Sequence, residues 1–333
     1  MTTTLLELAR TGDDEAFRQL INPYERELRA HCYRMLGSIH DAEDAWQESL
    51  LAAWQNLRGF QGRASIRTWL YRVVTSRCLN AQRSVRRRPP ATPRSDREPP
   101  QPTRLGELTW IEPYPDSWID EVADETPGPE ATYQAREAIS LAFVVALQRM
   151  PPRQRAALIL RDVLGFAAGE TAQILDCSEE AVTSALKRAR AASAQTLPPE
   201  QEPPPPPDSP AERRLVDQLT DAYEGGDVDR IISLFTEDAW LTMPPYPFEY
   251  HGRVLIARFL ATIAFSEGRT FDLLQTRANQ QLALATYVRG PDALKGHAND
   301  LLVLTLAGSR IAAMTRFDPS LLSHFGLPPA RTG

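Results

Sequence analysis

The stretch DAEDAWQESLLAAW, residues 41–54, leads shortly into SIRTWLYRVVTSRCLNAQRSVRRR, residues 65–88. In the first segment Asp41, Glu43, Asp44, Gln47 and Glu48 alternate with Ala45, Trp46, Leu50, Ala53, Trp54 and Leu57 at helical spacing. This spacing predicts an amphipathic helix that packs a core and still presents a carboxylate stripe. The second segment carries Arg67, Arg72, Arg77, Arg83, Arg86, Arg87 and Arg88 with no acid until Asp96, interleaved with Trp69, Tyr71 and Asn80. Basic, aromatic and amide side chains together suit nucleic acid. A solvated face for the arginines and core packing for the aromatics is the plainer alternative.

A second DNA signal lies downstream. Residues 153–190 read as a helix-turn-helix: an apolar helix from Gln154 to Val163, Gly165, a short helix from Ala168 to Leu175, a turn at Asp176 and Cys177, and a final helix. Ser178 is placed to cap that helix, Glu179 and Glu180 sit at its positive end, and Lys187, Arg188 and Arg190 near its negative end. Val182, Leu186 and Ala189 form an apolar face to dock on Ile174 and Leu160. Thr183, Ser184, Lys187 and Arg188 are left outward, where a major groove would lie.

The 333 residues carry a formal net charge of -6, so the positive charge is local and a uniformly nucleic-acid-coated protein is excluded. Cys32, Cys78 and Cys177 lack paired spacing, which predicts neither disulfides nor a metal site; no cofactor is expected. No stretch approaches a membrane span and there is no basic leader, so no membrane partner is expected and a cytoplasmic location is. Between the two DNA-facing parts, residues 91–135 form an acidic, proline-rich linker. Within it, Leu108, Trp110, Ile111, Tyr114, Trp118 and Ile119 are too apolar to stay exposed and are expected to dock, the third domain being one place for them. The proline run of residues 197–211 predicts a stiff connector to that domain. There, two amphipathic helices precede alternating strands, which reads as α+β.

With these residues in view, the chain resembles the extracytoplasmic-function (ECF) sigma factors of the sigma-70 family. Gly37, Asp41–Asp44, Gln47, Glu48, Trp54, Phe60, Arg63, Thr68, Trp69, Leu70 and Arg83 resemble its region two. Leu147, Pro151, Gln154, Arg155, Gly165, Glu170, Leu175, Val182, Ser184, Leu186, Arg188 and Arg190 resemble its region four. The resemblance implies a transcription initiation factor whose partners are core RNA polymerase and promoter DNA. It assigns Asp41, Asp44, Gln47 and Glu48 to core binding. Arg63, Ser65, Arg67, Trp69, Arg72, Arg77, Asn80 and Arg83 fall to the minus-ten element, with Trp69 either a wedge at the melted junction or a core anchor. Thr183, Ser184, Lys187, Arg188 and Arg190 fall to the minus-thirty-five element. The linker is implied either to thread the polymerase near the RNA exit path or to be a solvated tether.

The third part, from AYEGGDVDRIISLFTEDAWLTMPPYPFEYHGR, resembles the SnoaL-like branch of the cone-shaped fold shared with ketosteroid isomerase and nuclear transport factor two. The expectation is therefore a multidomain chain of two all-α helical domains and one α+β cone. Region two spans residues 1–90, region four 136–196 and the SnoaL-like domain 212–330. Trp240, Met243, Tyr246, Phe248, Tyr250 and His251 are the expected rim or lining of a pocket for a small apolar ligand. Tyr223, His251, His297, Asp300 and Asp318 form no diagnostic spacing, so no catalytic residue is assigned. The preferred function is a sigma factor modulated by its own C-terminal domain, which touches the sigma regions or the linker. The alternative is a sigma factor fused to a working isomerase, cyclase or hydrolase.

Overall fold

The chain divides into two interleaved units, residues 1–88 with 118–197, and residues 89–117 with 198–333. The computed structural model describes residues 2–85, 98–106, 110–119, 139–196, 202–290, 293 and 295–332.

The first unit is helical: α1 (Thr2–Arg10), α2 (Asp14–Ile21), α3 (Glu25–Leu36), α4 (Ile39–Asn56), α5 (Ile66–Val85), α6 (Leu141–Gln148), α7 (Pro152–Leu158), α8 (Ala168–Leu175) and α9 (Glu179–Thr196). Local chemistry sets the breaks. Asp13 caps α2 by accepting from the Glu15 and Ala16 N–H groups, both at 2.9 Å. Gly37 ends α3 at φ 74°, and Ser38 then caps α4. Helix α4 buries Ile39, Ala42, Ala45, Trp46, Ala52 and Ala53, so the predicted apolar stripe is its core face. After α7 comes one π turn, Ile159–Val163.

One charge holds two helix ends. Arg155, 5% exposed, donates to the Leu147, Gln148 and Met150 carbonyls at the end of α6 and to the Met35 carbonyl at the end of α3. These are the negative ends of two helix dipoles, which stand in for a carboxylate partner. Burial lowers its pKa to about 10, still high enough for it to stay charged.

The second unit begins inside the expected linker. Strand β1 (Arg104–Leu105) precedes α10 (Pro210–Glu224) and α11 (Val228–Ser233). Then follow β2 (Phe235–Met243), β3 (Tyr246–His251), α12 (Arg253–Phe259), β4 (Thr270–Ala278), β5 (Gln281–Arg289), β6 (Lys295–Ala307), β7 (Arg310–Phe317) and β8 (Ala330–Thr332). The sheet order is β1-β3-β2-β7-β6-β5-β4, with β8 on β6. Only the β2–β7 pairing is parallel among the described ladders. Its core packs Leu215, Leu219 and Tyr223 of α10 and Phe259 of α12 against Leu284, Leu302, Leu304 and Met314 of the sheet.

The expected boundaries shift accordingly. Residues 98–106 and 110–117 are part of the α+β unit rather than a free tether, and α10 starts at Pro210 under a Ser209 cap. Ile111 and Tyr114 are 3% and 2% exposed, so these linker aromatics and aliphatics do pack. The Tyr114 N–H donates to Asn279 Oδ1 and the Asn279 N–H to the Tyr114 carbonyl, each at 2.8 Å. The Gln280 N–H donates to Asp116 Oδ1 at 2.7 Å. Leu108 lies outside the described residues.

Candidate polymerase and promoter interface

On α4, Asp44, Gln47 and Glu48 are exposed on the side opposite the buried stripe. Asp41 is corrected here: at 9% exposure it sits in the first turn beside the Ser38 cap, where a carboxylate complements the helix start, and it is not part of the stripe. Leu51, one turn beyond Gln47, is 63% exposed and extends that surface with an apolar patch. The sequence signal for it was its adjacency to Leu50, since only one of two neighbouring leucines can face the core.

Helix α5 begins under Ser65, whose Oγ accepts from the Thr68 N–H at 3.0 Å. Ser65 is thus a cap as well as an exposed residue. Arg63, Arg72 and Asn80 are exposed and Arg77 is half-buried. Arg67 is engaged within the protein: it pairs with Glu27 at 3.0 and 3.1 Å, and its guanidinium lies 5.3 Å from the Tyr71 ring and 4.5 Å from the Phe166 ring. Trp69 is half-buried on Phe60, ring centroids 5.3 Å apart, closer to a packing role than to a free wedge. The Arg83 side chain and Arg86–Arg88 lie outside the described residues.

Behind this surface His31 is fully buried, with Nε2 2.9 Å from Thr75 Oγ1 and its ring edge-on to Tyr71. Burial, reinforced by Arg34, lowers its pKa to about 3, so the imidazole is neutral at physiological pH.

The two faces of helix α9 divide as predicted, but its end differs: the helix runs on to Thr196, so Lys187, Arg188 and Arg190 lie mid-helix rather than at its negative end. Val182, Ala185, Leu186 and Ala189 are buried, whereas Thr183, Ser184, Lys187, Arg188 and Arg190 are exposed. Asp176 makes the preceding turn at φ 50°, and Ser178 Oγ accepts from the Ala181 N–H at 3.2 Å. Arg190 differs from its neighbours in making a bidentate pair with Asp162 at 2.8 and 2.7 Å. A groove of about 740 Å³ runs between α5 and the helix-turn-helix, lined among others by Arg72, Ser76, Asn80, Arg153, Leu175 and Asp176.

A family model described as Sigma-70 region 2 matches residues 20–88, and one described as Sigma-70, region 4 matches residues 140–192. A SnoaL-like domain model matches residues 216–314. Over 326 residues the chain is 41% identical to the ECF RNA polymerase sigma factor SigG of Mycobacterium tuberculosis (strain ATCC 25618 / H37Rv), covering 96% of this chain and 85% of that one. The chain belongs to the ECF sigma factors. It is also similar to the ECF sigma factor SigM of the same strain, 31% identical over 193 residues, 58% of this chain and 83% of SigM. The crystal structure of the Mycobacterium tuberculosis ECF sigma factor SigJ shares the fold: TM-score 0.60 at 22% identity, covering 92% of this chain and all of that one.

Helices α3–α5 of this sigma factor therefore lie within region 2, and α6–α8 with most of α9 within region 4, followed by a SnoaL-like domain. In that last domain the six expected pocket residues do not share a face. Tyr250 is buried in the core, with Met243 and Phe248 packed against it, whereas Trp240 and His251 stack on each other at 4.3 Å outside. Arg104 covers Trp240 at 4.6 Å and pairs with Glu249 at 2.5 Å. The outer face is thus covered by Arg104 of the sigma factor's own linker: successive residues along a strand alternate faces, so the Trp240–His251 pair lies on the side opposite the Leu241–Tyr250 pair. A cavity of about 330 Å³ in this domain is instead lined by Glu224, Thr270, Phe271, Asp272, Arg289 and Ala293, none of the six.

Of the five candidate acids and bases, Tyr223, Asp300 and Asp318 lie within electrostatic reach of one another around Arg316, whereas the two histidines stand apart. His251 and His297 are exposed, and Asp318 caps a short 3-10 helix. Tyr223 is 1% exposed between Phe265 and Phe271. The Asp300 carboxylate accepts from Arg316 at 2.5 Å and from Asn299 at 2.5 Å; burial raises its pKa while Arg316 opposes the shift. Among the described residues no cluster of His, Cys, Asp or Glu could hold a metal ion, and no helix is long and apolar enough to cross a membrane.

Proposed function

We propose that this sigma factor docks on core RNA polymerase through Asp44, Gln47 and Glu48, with Leu51 as the apolar centre of the contact. It captures the minus-ten strand with the loop at Arg63 and the α5 residues Arg67, Arg72, Arg77, Asn80 and Arg83, and reads the minus-thirty-five duplex with Thr183, Ser184, Lys187 and Arg188. Arg190 joins them by exchanging Asp162 for a phosphate. These sites act on the transcription machinery in the cytoplasm.

The SnoaL-like domain acts as a built-in, non-catalytic inhibitor that competes with the polymerase for the linker between regions 2 and 4. One observation carries this reading: residues 98–106 and 110–117 of that linker are part of the SnoaL-like unit, adding β1 to the β3 edge. The attachment is main-chain and specific. The Thr103 N–H donates to the Glu249 carbonyl at 2.9 Å, the Gly106 N–H to the Pro247 carbonyl at 2.7 Å, and Tyr250 Oη to the Pro100 carbonyl at 2.9 Å. A segment held there is withheld from the RNA exit path. Against a catalytic reading, Asp300 is neutralised by Arg316 and Tyr223 is sealed among aromatic rings.

The experiment uses the register pair Leu105 and Phe248. With Leu105→Cys and Phe248→Cys, oxidation locks the linker on the sheet. The oxidised protein is expected to support little transcription with core polymerase and to recover on reduction. Equal activity in both states refutes the inhibitory role.

A further inference from the structure

The outward face of α9 carries an acid at its centre. Glu180, Thr183, Ser184 and Lys187 are all exposed and recur at i, i+3, i+4 and i+7. At about 100° per residue, the fully buried Ala189 stands about 180° around the axis from Glu180. Glu180 therefore lies in the middle of the exposed face rather than on its rim. It is also the second residue of the helix, and in a helix-turn-helix the N-terminal residues of the last helix meet the base edges.

The neighbouring acid is turned elsewhere. The Glu179 carboxylate lies over α8, where a β-carbon on Gly169 would sit only 3.1 Å from Oε1. Glu180 accepts from its own backbone N–H and from the Ser178 hydroxyl, and both bonds lower its pKa and keep it charged. A carboxylate offers about four acceptor positions, so others remain for a donor in the groove.

Against phosphate an anion here is a liability. B-form duplex carries one negative charge per about 1.7 Å of axis, and Lys187, Arg188 and Arg190, exposed on the same helix, are all basic. A donor on a base edge offsets that repulsion. The major groove supplies two amino groups, cytosine N4 and adenine N6. Beside the adenine amino group stands the N7 acceptor, which repels the second carboxylate oxygen; cytosine has no acceptor on that edge.

We propose that Glu180 reads a cytosine of the minus-thirty-five element by accepting from its N4 amino group, and so sets the base chosen at one position. The inference rests on the reading of α9 as the minus-thirty-five helix and adds to it a residue that repels the backbone and selects the base.

The test uses holoenzyme formed from the full-length chain and core RNA polymerase, on promoters randomised through the upstream element, with the transcripts sequenced. Wild type is expected to require cytosine at one position. Glu180→Ala should lower that preference about tenfold and leave the other positions unchanged. Glu180→Gln should move the same position toward adenine, since an amide pairs with N6 and N7 together. Both variants, having lost a negative charge, should also bind a mixed-sequence duplex a few-fold more tightly by anisotropy. Base frequencies identical in all three proteins, or a loss spread evenly over the element, overturn the assignment. Thr183→Ala is measured alongside. If it alone alters the selected sequence, the role of Glu180 fails and the reading of α9 stands; if no variant alters it, both fail.

Discussion

Tyr114→Ala probes how firmly the SnoaL-like unit holds the linker. Tyr114 is 2% exposed, and its main-chain bonds to Asn279 survive the substitution, so the loss is that of the buried ring alone. Truncating a buried aromatic to alanine costs about 3 kcal/mol at the lower end of its range, because the cavity left behind collapses only in part. Residues 98–117 release as a segment, so this cost lowers their local opening free energy rather than that of the whole sheet. At about 1.4 kcal/mol per tenfold, amide exchange in the segment should accelerate on the order of a hundredfold, with β5–β7 unchanged. The assay is hydrogen exchange on the intact chain, followed peptide by peptide. Exchange at residues 98–117 equal to wild type would falsify the argument that burial at Tyr114 anchors the linker. Acceleration throughout the sheet would instead mean that Tyr114 supports the fold generally.

Further expectations follow from single sites. Tyr250→Phe removes the bond to the Pro100 carbonyl and should speed exchange near residue 100 about fivefold, a loss of ~1 kcal/mol; unaltered exchange there means the bond contributes nothing. Lys187→Ala with Arg188→Ala should weaken binding to minus-thirty-five duplex and reduce the log–log salt slope by about two, measured by anisotropy across a salt series; an unchanged slope places these side chains off the phosphates. Asp44→Arg with Glu48→Arg should abolish co-elution with core polymerase while circular dichroism stays the same, since both side chains are exposed. His31 is neutral when folded and titrates near pH 6.5 when unfolded. Its contribution is thus complete above about pH 6.5 and lost as pH falls toward about 3, at most ~5 kcal/mol. Relative to His31→Gln, the wild-type advantage in thermal stability should shrink across that window; a constant difference contradicts the neutral assignment.

The two sigma regions were legible because their signals are local. The apolar stripe of α4 and the cap, turn and apolar face of α9 all follow from residues within a few positions of one another. The contact between Arg67 and Phe166 was not legible. Phe166 reads as an ordinary turn aromatic, and only folding brings it to Arg67, far away along the chain. Asp41 misled because its charge matched the stripe, whereas its position one turn from Ser38 makes it part of the helix start. In the SnoaL-like domain the strands from residue 282 to 317 were evident from their apolar runs. Strand β4, TFDLLQTRA, was less so because polar residues break its outer face. The pocket assignment failed for a related reason: Trp240 and Tyr250 are both aromatic, but their register puts them on opposite sides of the hairpin. Composition showed that the linker aromatics needed cover, and chain topology decided which surface supplied it.

The most direct measurement is in vitro transcription by core RNA polymerase on a library of randomised promoters, comparing the intact chain with Tyr114→Ala and sequencing the transcript starts. A sigma factor restrained by its own third domain predicts initiation at promoters sharing a minus-ten and a minus-thirty-five element, the same for both proteins, with a several-fold higher yield from Tyr114→Ala. No initiation by either protein, or identical yields once the linker is shown to be loosened, contradicts it.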